Sequence, residues 1–176
     1  DVNQGLLDKL TAGKSPFNHI PDSELELLNR DTTVLTSDFS AVSDVDAVLI
    51  CLPTPLDKHR QPDLSYVVQS AEALAPHLTP QTMVSLESTT WPGTTEEVLA
   101  PIFAAEGLTA GKDIALVFSP EREDPGNKHF TIRQIPKVVG GIGPRSAALA
   151  EALYGQVVSG VVPVRSTREA EASKIL

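Results

Sequence analysis

The sequence predicts an α/β fold, a mostly parallel sheet with helices on both faces. Three observations lead there. Short apolar runs alternate with longer stretches of helical periodicity along the 176 residues, the pattern of strand–helix–strand units. The strongest run, Ala47-Val48-Leu49-Ile50-Cys51, is apolar without alternation, which suits a strand buried on both faces. Two of the three longest irregular stretches, 52–62 and 119–136, begin where a strong strand ends. That is the edge at which such sheets bind ligands.

The elements follow in order. Thr33-Val34-Leu35-Thr36 predicts a modest strand and Ala47–Cys51 a strong one. Met83–Leu86, Ile114–Phe118, Lys137–Val139 and Val161–Val164 complete the set, the last as an edge strand or a very short one because Pro163 has no N–H to give a ladder. Asp63 is placed to cap a helix that gathers Leu64, Val67, Val68, Ala71, Leu74 and Ala75 on one face, with Pro76 at its end. Thr94 and Glu97 have capping-box spacing ahead of Val98, Leu99, Ile102 and Phe103. Pro101 should kink that helix or shift its start. Ser146 to Val157 predicts a helix through Leu149, Ala150, Leu153 and Tyr154. Ser166 and Glu169 repeat the capping-box spacing and open another.

Composition narrows the function classes. Apolar residues at 41% and charged residues at 21% indicate a folded domain rather than a disordered chain. Fourteen basic against 23 acidic side chains give a net charge of −9, which argues against a nucleic-acid surface. One cysteine, Cys51, cannot form an internal disulfide, so a cytoplasmic protein is expected. No apolar run nears the roughly 18–20 residues of a membrane span, and the amino terminus carries no signal-peptide pattern. Neither a membrane association nor a metal site is expected.

Three loops stand at strand ends. In the first, Cys51-Leu52-Pro53-Thr54-Pro55, two prolines stiffen the backbone around one hydroxyl; a rigid turn and a binding loop both fit it. The second, Glu87-Ser88-Thr89-Thr90-Trp91-Pro92-Gly93-Thr94-Thr95, carries five hydroxyls into a helix start. Only Thr94 is needed as a cap, so the surplus favours a site for a phosphate, a carboxylate or a polar cofactor edge. The third, Ser119-Pro120-Glu121-Arg122-Glu123-Asp124-Pro125-Gly126-Asn127, sets four charges between two prolines. A glycine pattern at Gly141-Ile142-Gly143-Pro144-Arg145-Ser146 is explained by turn chemistry, since the next strand ends without the acid a dinucleotide site requires.

In this order the loops resemble the UDP-glucose/GDP-mannose dehydrogenase family of nucleotide-sugar 6-dehydrogenases. The resemblance rests on Asp1-Val2-Asn3, Gly13-Lys14-Ser15-Pro16 with His19-Ile20-Pro21, Cys51–Pro55 with Pro62-Asp63-Leu64-Ser65, and Glu87-Ser88-Thr89 with Pro92-Gly93-Thr94-Thr95. It continues through Ser119-Pro120-Glu121-Arg122, Pro136-Lys137-Val138-Val139-Gly140-Gly141 and Glu171-Ala172-Ser173-Lys174. The Glu121–Asn127 form is most similar to the branch that oxidises UDP-N-acetylhexosamines.

The resemblance implies a Rossmann-like domain over 1–165, without the first strand and glycine loop of that fold, and the start of a connecting helix at 166–176. It implies NAD as cofactor, a UDP-N-acetylhexosamine as substrate, and a homodimer for the full-length protein. Asp1 matches the acid that binds the adenosine ribose. Leu52, Pro53, Thr54 and Pro55 would line the cofactor, and Ser88 and Thr89 would approach its nicotinamide end, Thr89 also orienting the catalytic water or sugar hydroxyl. Glu121 would assist proton transfer at C6, and Arg122 and Glu123 would contact the sugar nucleotide. Lys174 would stabilise the developing alkoxide or oxyanion, as a nearby cation does. Without the glycine turn and the family's later thiol, the 176-residue chain alone is expected to be inactive and to hold NAD weakly, with Ala47–Cys51 as an exposed sheet edge. Two other readings stay open: a non-catalytic module that associates through that edge, and an α/β dehydrogenase of small hydroxy acids.

Overall fold

Five strands form one sheet in chain order in the computed structural model, which describes residues 1–17, 20–28, 31–56, 58, 61–121 and 135–174. They are β1 (Ala47–Ile50), β2 (Met83–Leu86), β3 (Ala115–Phe118), β4 (Lys137–Gly141) and β5 (Val161–Pro163). β1, β2 and β3 run parallel, β4 is antiparallel to β3, and β5 is parallel to β4. The sheet is therefore mostly parallel, as the sequence predicts. The reversal at β4 brings its first residue, Lys137, to the carboxyl ends of β2 and β3. It also sends Gly141 and the glycine pattern after it towards the opposite edge.

The strand periodicity decides the two faces. Met83, Ala115, Val117 and Val139 pack with Ala150 and Tyr154 of α4 (Gly143–Tyr154) on one face. The alternate residues Val84, Leu86, Leu116 and Phe118 are also buried and point the other way. Burial on both sides is why β2 and β3 read as continuous apolar runs. On this second face β3 meets α5 (Thr167–Ala172) and a π turn at Thr95–Leu99, which continues as α3 (Ala100–Ala105) and packs against α2 (Ser65–Leu74). Leu99 and Phe103 are fully buried there, each contributing about 1.5–3 kcal/mol of hydrophobic stabilisation.

β4 carries helices on both faces because it contains Gly140 and Gly141. A Cβ at Gly140 would collide with the Ser166 carbonyl at the start of α5, and one at Gly141 with the Ala147 and Ser146 backbone of α4. The expected effect of Pro101 appears as the π turn: Pro101 has no N–H to bond to Glu97, so the wider turn precedes it and α3 starts with proline in its first turn. β5 lies at one end of the sheet, as Pro163 predicts, and Val164 N continues its ladder to Val139 O at 2.9 Å. β1 lies at the other end, with Leu49 47% exposed.

The chain divides into two compact units, Asp1–Ala41 and Val42–Leu176. The first holds α1 (Gln4–Thr11), capped by the Asn3 side chain on Leu6 N, with Leu7 buried. Sequence reading missed this helix, although Asn3 followed by Leu6, Leu7 and Leu10 is its signature. The strand expected at Thr33–Thr36 does not form. A short run such as Thr33-Val34-Leu35-Thr36 becomes a strand only where a neighbour completes its ladder, and the described residues offer none. No helix among the described residues is long and apolar enough to cross a membrane.

Candidate functional site at the carboxyl ends of β1 to β3

The loop after β1 is fixed at both ends. Leu52 N donates to Ser88 Oγ at 2.9 Å, and the Ser88 hydroxyl reaches Ile50 O at 3.5 Å. At the far end Asp63 N bonds Pro55 O at 2.7 Å, beside a bridge between Leu56 and Pro62. Asp63 then accepts from Ser65 N at 2.9 Å, a bond that holds its carboxyl below the usual range, but the N-cap of α2 is Leu64 and not Asp63 as the sequence predicts. Pro53 and Pro55 are exposed and Thr54 is half-buried between them. The stretch that sequence left as either turn or site is tied at both ends and presents Pro53 and Pro55 outward.

The five hydroxyls of the second loop divide. Ser88 is spent on β1. Thr94 Oγ1 donates to Trp91 O at 2.8 Å, and Thr95 Oγ1 donates to Glu171 Oε1 at 2.7 Å. The capping box expected from Thr94 and Glu97 does not form. A carboxylate from α5 takes its place: Glu171, fully buried, accepts from Gly93 N at 2.5 Å and from Thr95 N at 2.8 Å. A charged acceptor at a helix start outcompetes a hydroxyl there. Burial pushes the Glu171 carboxyl up, and the bonds from Thr95 and Gly93 oppose that shift. Two hydroxyls remain for a ligand. Thr89 is exposed, while Thr90 Oγ1 is buried without a hydrogen-bond partner among the described residues, an orphan that costs about 1–3 kcal/mol unless something fills the role.

Beneath these loops lies a buried polar cluster that sequence reading did not find. Lys137 Nζ pairs with Glu87 Oε2 at 2.8 Å, the two side chains only 12% and 8% exposed. Tyr154 Oη stands 2.5 Å from Glu87 Oε1 and 2.7 Å from Ser85 Oγ. The carboxylate can only accept, so the phenol proton goes to Glu87 and the Ser85 hydroxyl donates to the phenol oxygen. Burial and the Glu87 charge push the Tyr154 hydroxyl far up, and Lys137 lies over its ring at 4.9 Å. Cys51 is exposed beside this cluster; desolvation first, then the Glu87 charge, raises its thiol, which disfavours the thiolate. The available signal was Ser85 and Glu87 in alternate positions of an otherwise apolar strand, facing a helix that ends in tyrosine.

The third loop starts from Ser119, whose hydroxyl donates to Val138 O at 2.8 Å and fixes the end of β3 to the start of β4. Glu121 is half-buried, and Lys174 Nζ donates to its backbone carbonyl. Two residues singled out 53 positions apart are thus brought together. α5 makes this possible: Ser166 caps it by accepting from Glu169 N, and Glu169 reaches back to Arg165 N. Arg122, Glu123 and Asp124, like His19, lie outside the described residues. Asp1 belongs to the first unit, where its carboxylate accepts from Asn3 N at 2.7 Å.

The glycine pattern at Gly141–Ser146 is occupied by structure, as expected. Ser146 Oγ donates to Ile142 O at 2.6 Å and Arg145 to Lys112 O at 2.7 Å.

Comparison with known proteins identifies a family. The profile described as UDP-glucose/GDP-mannose dehydrogenase family, NAD binding domain, matches residues 1–158. Protein CapL of Staphylococcus aureus is 34% identical over all of this chain and 41% of its own length. The UDP-N-acetyl-D-glucosamine 6-dehydrogenase of Pseudomonas aeruginosa is 32% identical over all of this chain and 42% of its own. The crystal structure of an NDP-N-acetyl-D-galactosaminuronic acid dehydrogenase from Methanosarcina mazei Go1 superposes with a TM-score of 0.88 at 34% identity, covering 97% of this chain and 38% of that one. The chain thus spans about two-fifths of the length of the curated relatives it matches.

Proposed function

Since the chain belongs to the UDP-glucose/GDP-mannose dehydrogenase family, as its NAD-binding domain, we propose that the protein carrying it oxidises the C6 alcohol of a UDP-N-acetylhexosamine to a carboxylate. The observation that carries this reading is the meeting of Lys174 with Glu121 just beyond β3, where a parallel sheet offers a ligand its backbone dipoles and loops. The edge also fits a dinucleotide. Thr90 Oγ1 is buried and lacks a partner among the described residues, and Thr89 beside it is exposed. Bound there, NAD would supply the hydride acceptor.

The chain's own residues divide the remaining work. Leu52, Pro53, Thr54 and Pro55, with Ser88 and Thr89, form the wall against the cofactor. Lys174 sets a positive charge beside the oxygen that becomes negative as the alcohol loses its proton, which lowers the barrier. Glu121 accepts and returns protons at C6. Thr89 orients the sugar hydroxyl or the attacking water, and Arg122 and Glu123 hold the sugar nucleotide. Curated relatives include dehydrogenases named for UDP-N-acetyl-D-glucosamine, N-acetyl-D-galactosaminuronic acid and UDP-N-acetyl-D-mannosamine at 28–32% identity, which supports the choice of substrate class, while a GDP-mannose and a UDP-glucose dehydrogenase superpose at 28% and 26% identity.

The test is an NADH assay of the intact protein with UDP-N-acetylglucosamine, UDP-N-acetylmannosamine and UDP-glucose. The expected result is two NADH per sugar oxidised, with an N-acetylated substrate preferred. Lys174→Met should lower kcat about 10²–10³-fold, the usual loss for one oxyanion-stabilising group. No NADH from any of the three sugars overturns the reading.

A further inference from the structure

We propose that Glu87, Lys137 and Tyr154 are positioning residues, which hold Ser88 so that it clamps the loop after β1 through Leu52 N. The proposal rests on the reading that this edge holds NAD. Glu87 directly precedes Ser88, and its carboxylate is braced from two separate elements, by Lys137 at the start of β4 and by Tyr154 at the end of α4. With both oxygens taken, the side chain fixes the rotation of the backbone from which Ser88 projects. Ser88 Oγ then receives Leu52 N. Pro53 and Pro55 have no N–H to donate, so Leu52 N is the donor that joins the proline loop to the residue beyond β2. A buried ion pair is a weak source of stability compared with apolar packing, and Met83 and Val117 on the same face show that apolar side chains fit there. The charged pair therefore has its use in geometry rather than in stability.

Amide hydrogen exchange of Leu52 in the intact protein without cofactor reads the clamp directly. Tyr154→Phe removes one of the two braces and should speed Leu52 exchange about fivefold, the worth of one hydrogen bond. Ser88→Ala should speed it at least as much, and the double variant no more than Ser88→Ala alone, because the phenol acts through the serine. With NAD and sugar, Tyr154→Phe should raise KM for NAD about fivefold while kcat stays within about twofold. Glu87→Gln, which keeps an acceptor for the phenol, tests the same chain of contacts should Tyr154→Phe fold poorly, and should also speed Leu52 exchange. Unchanged Leu52 exchange in both variants, or additive effects of Tyr154→Phe and Ser88→Ala, overturns the proposal. Faster exchange in a protein that makes no NADH supports the clamp and overturns the catalytic reading instead.

Discussion

Glu87 and Glu171 stand under the same set of loops on opposite faces of the sheet, the first on the α4 side and the second on α5. Both are buried, at 8% and 0% exposure. Glu87 is held by a cation and a phenol. Among the described residues no cation pairs with Glu171; two backbone N–H groups and one hydroxyl hold it. One carboxylate is neutralised by charge and the other is solvated by the start of a helix. The difference teaches where each fails: removing a cation strands a charge, whereas removing an acceptor strands neutral donors.

The largest effect should therefore fall on the α4 side. Lys137→Met leaves Glu87 buried and unpaired and should cost about 3–5 kcal/mol in urea denaturation. Adding Glu87→Gln to Lys137→Met should recover more than half of that, since a neutral amide needs no counter-charge. A loss below about 1 kcal/mol for Lys137→Met would mean that the two sites do not differ in the way argued.

On the α5 side, Glu171→Ala strands Gly93 N and Thr95 N and should cost about 2–3 kcal/mol. Glu171→Gln, which keeps one acceptor, should cost less. Its pH dependence sharpens the contrast. Burial raises the folded carboxyl above its ordinary value of 4.5, so the folded chain holds its proton to higher pH than the unfolded chain. The contribution is fully present below 4.5 and is lost as pH rises through the raised folded value. The Glu171 term should thus fall with rising pH across that window, by at most about 1.4 kcal/mol per unit. The difference between wild type and Glu171→Gln, followed by urea melts at a series of pH values, should show that slope.

How far the sequence reveals these two sites follows from their physics. β2 and β3 were legible because strands buried on both faces must be apolar throughout, and β1 because its run is equally apolar, although it lies at the sheet end with Leu49 exposed. The loops after them were legible because proline and hydroxyl clusters mark strand ends. Thr33–Thr36 misled because a strand exists only with its neighbour, which a single run cannot show. The Thr94–Glu97 capping box misled for a related reason: a local hydroxyl was available, but a carboxylate 76 residues away bound Thr95 instead. Lys137 with Glu87, and Glu171 with Gly93, are contacts between distant elements, so neither spacing nor periodicity encodes them. Lys174 and Glu121 were found through resemblance, and their meeting depends on α5 crossing the Gly140 surface of β4.

The smallest effect should come from the most visible ion pairs. Arg168 stands one turn before Glu171 on α5 and bonds Glu96 at 2.8 Å and Glu97 at 2.5 Å. Its side chain is 47% exposed, so water and salt screen both contacts. Thr167 Oγ1 also holds Glu96, at 2.9 Å, and keeps α5 joined to this turn without the arginine. Arg168→Ala should lower Tm by no more than about 2 °C at low salt, and the difference should shrink as salt is added. Glu171→Ala, three residues further along the same helix, should keep its full effect in salt. Equal salt sensitivity of the two variants would show that charge, and not burial of the acceptor, fastens α5 to the loop after β2.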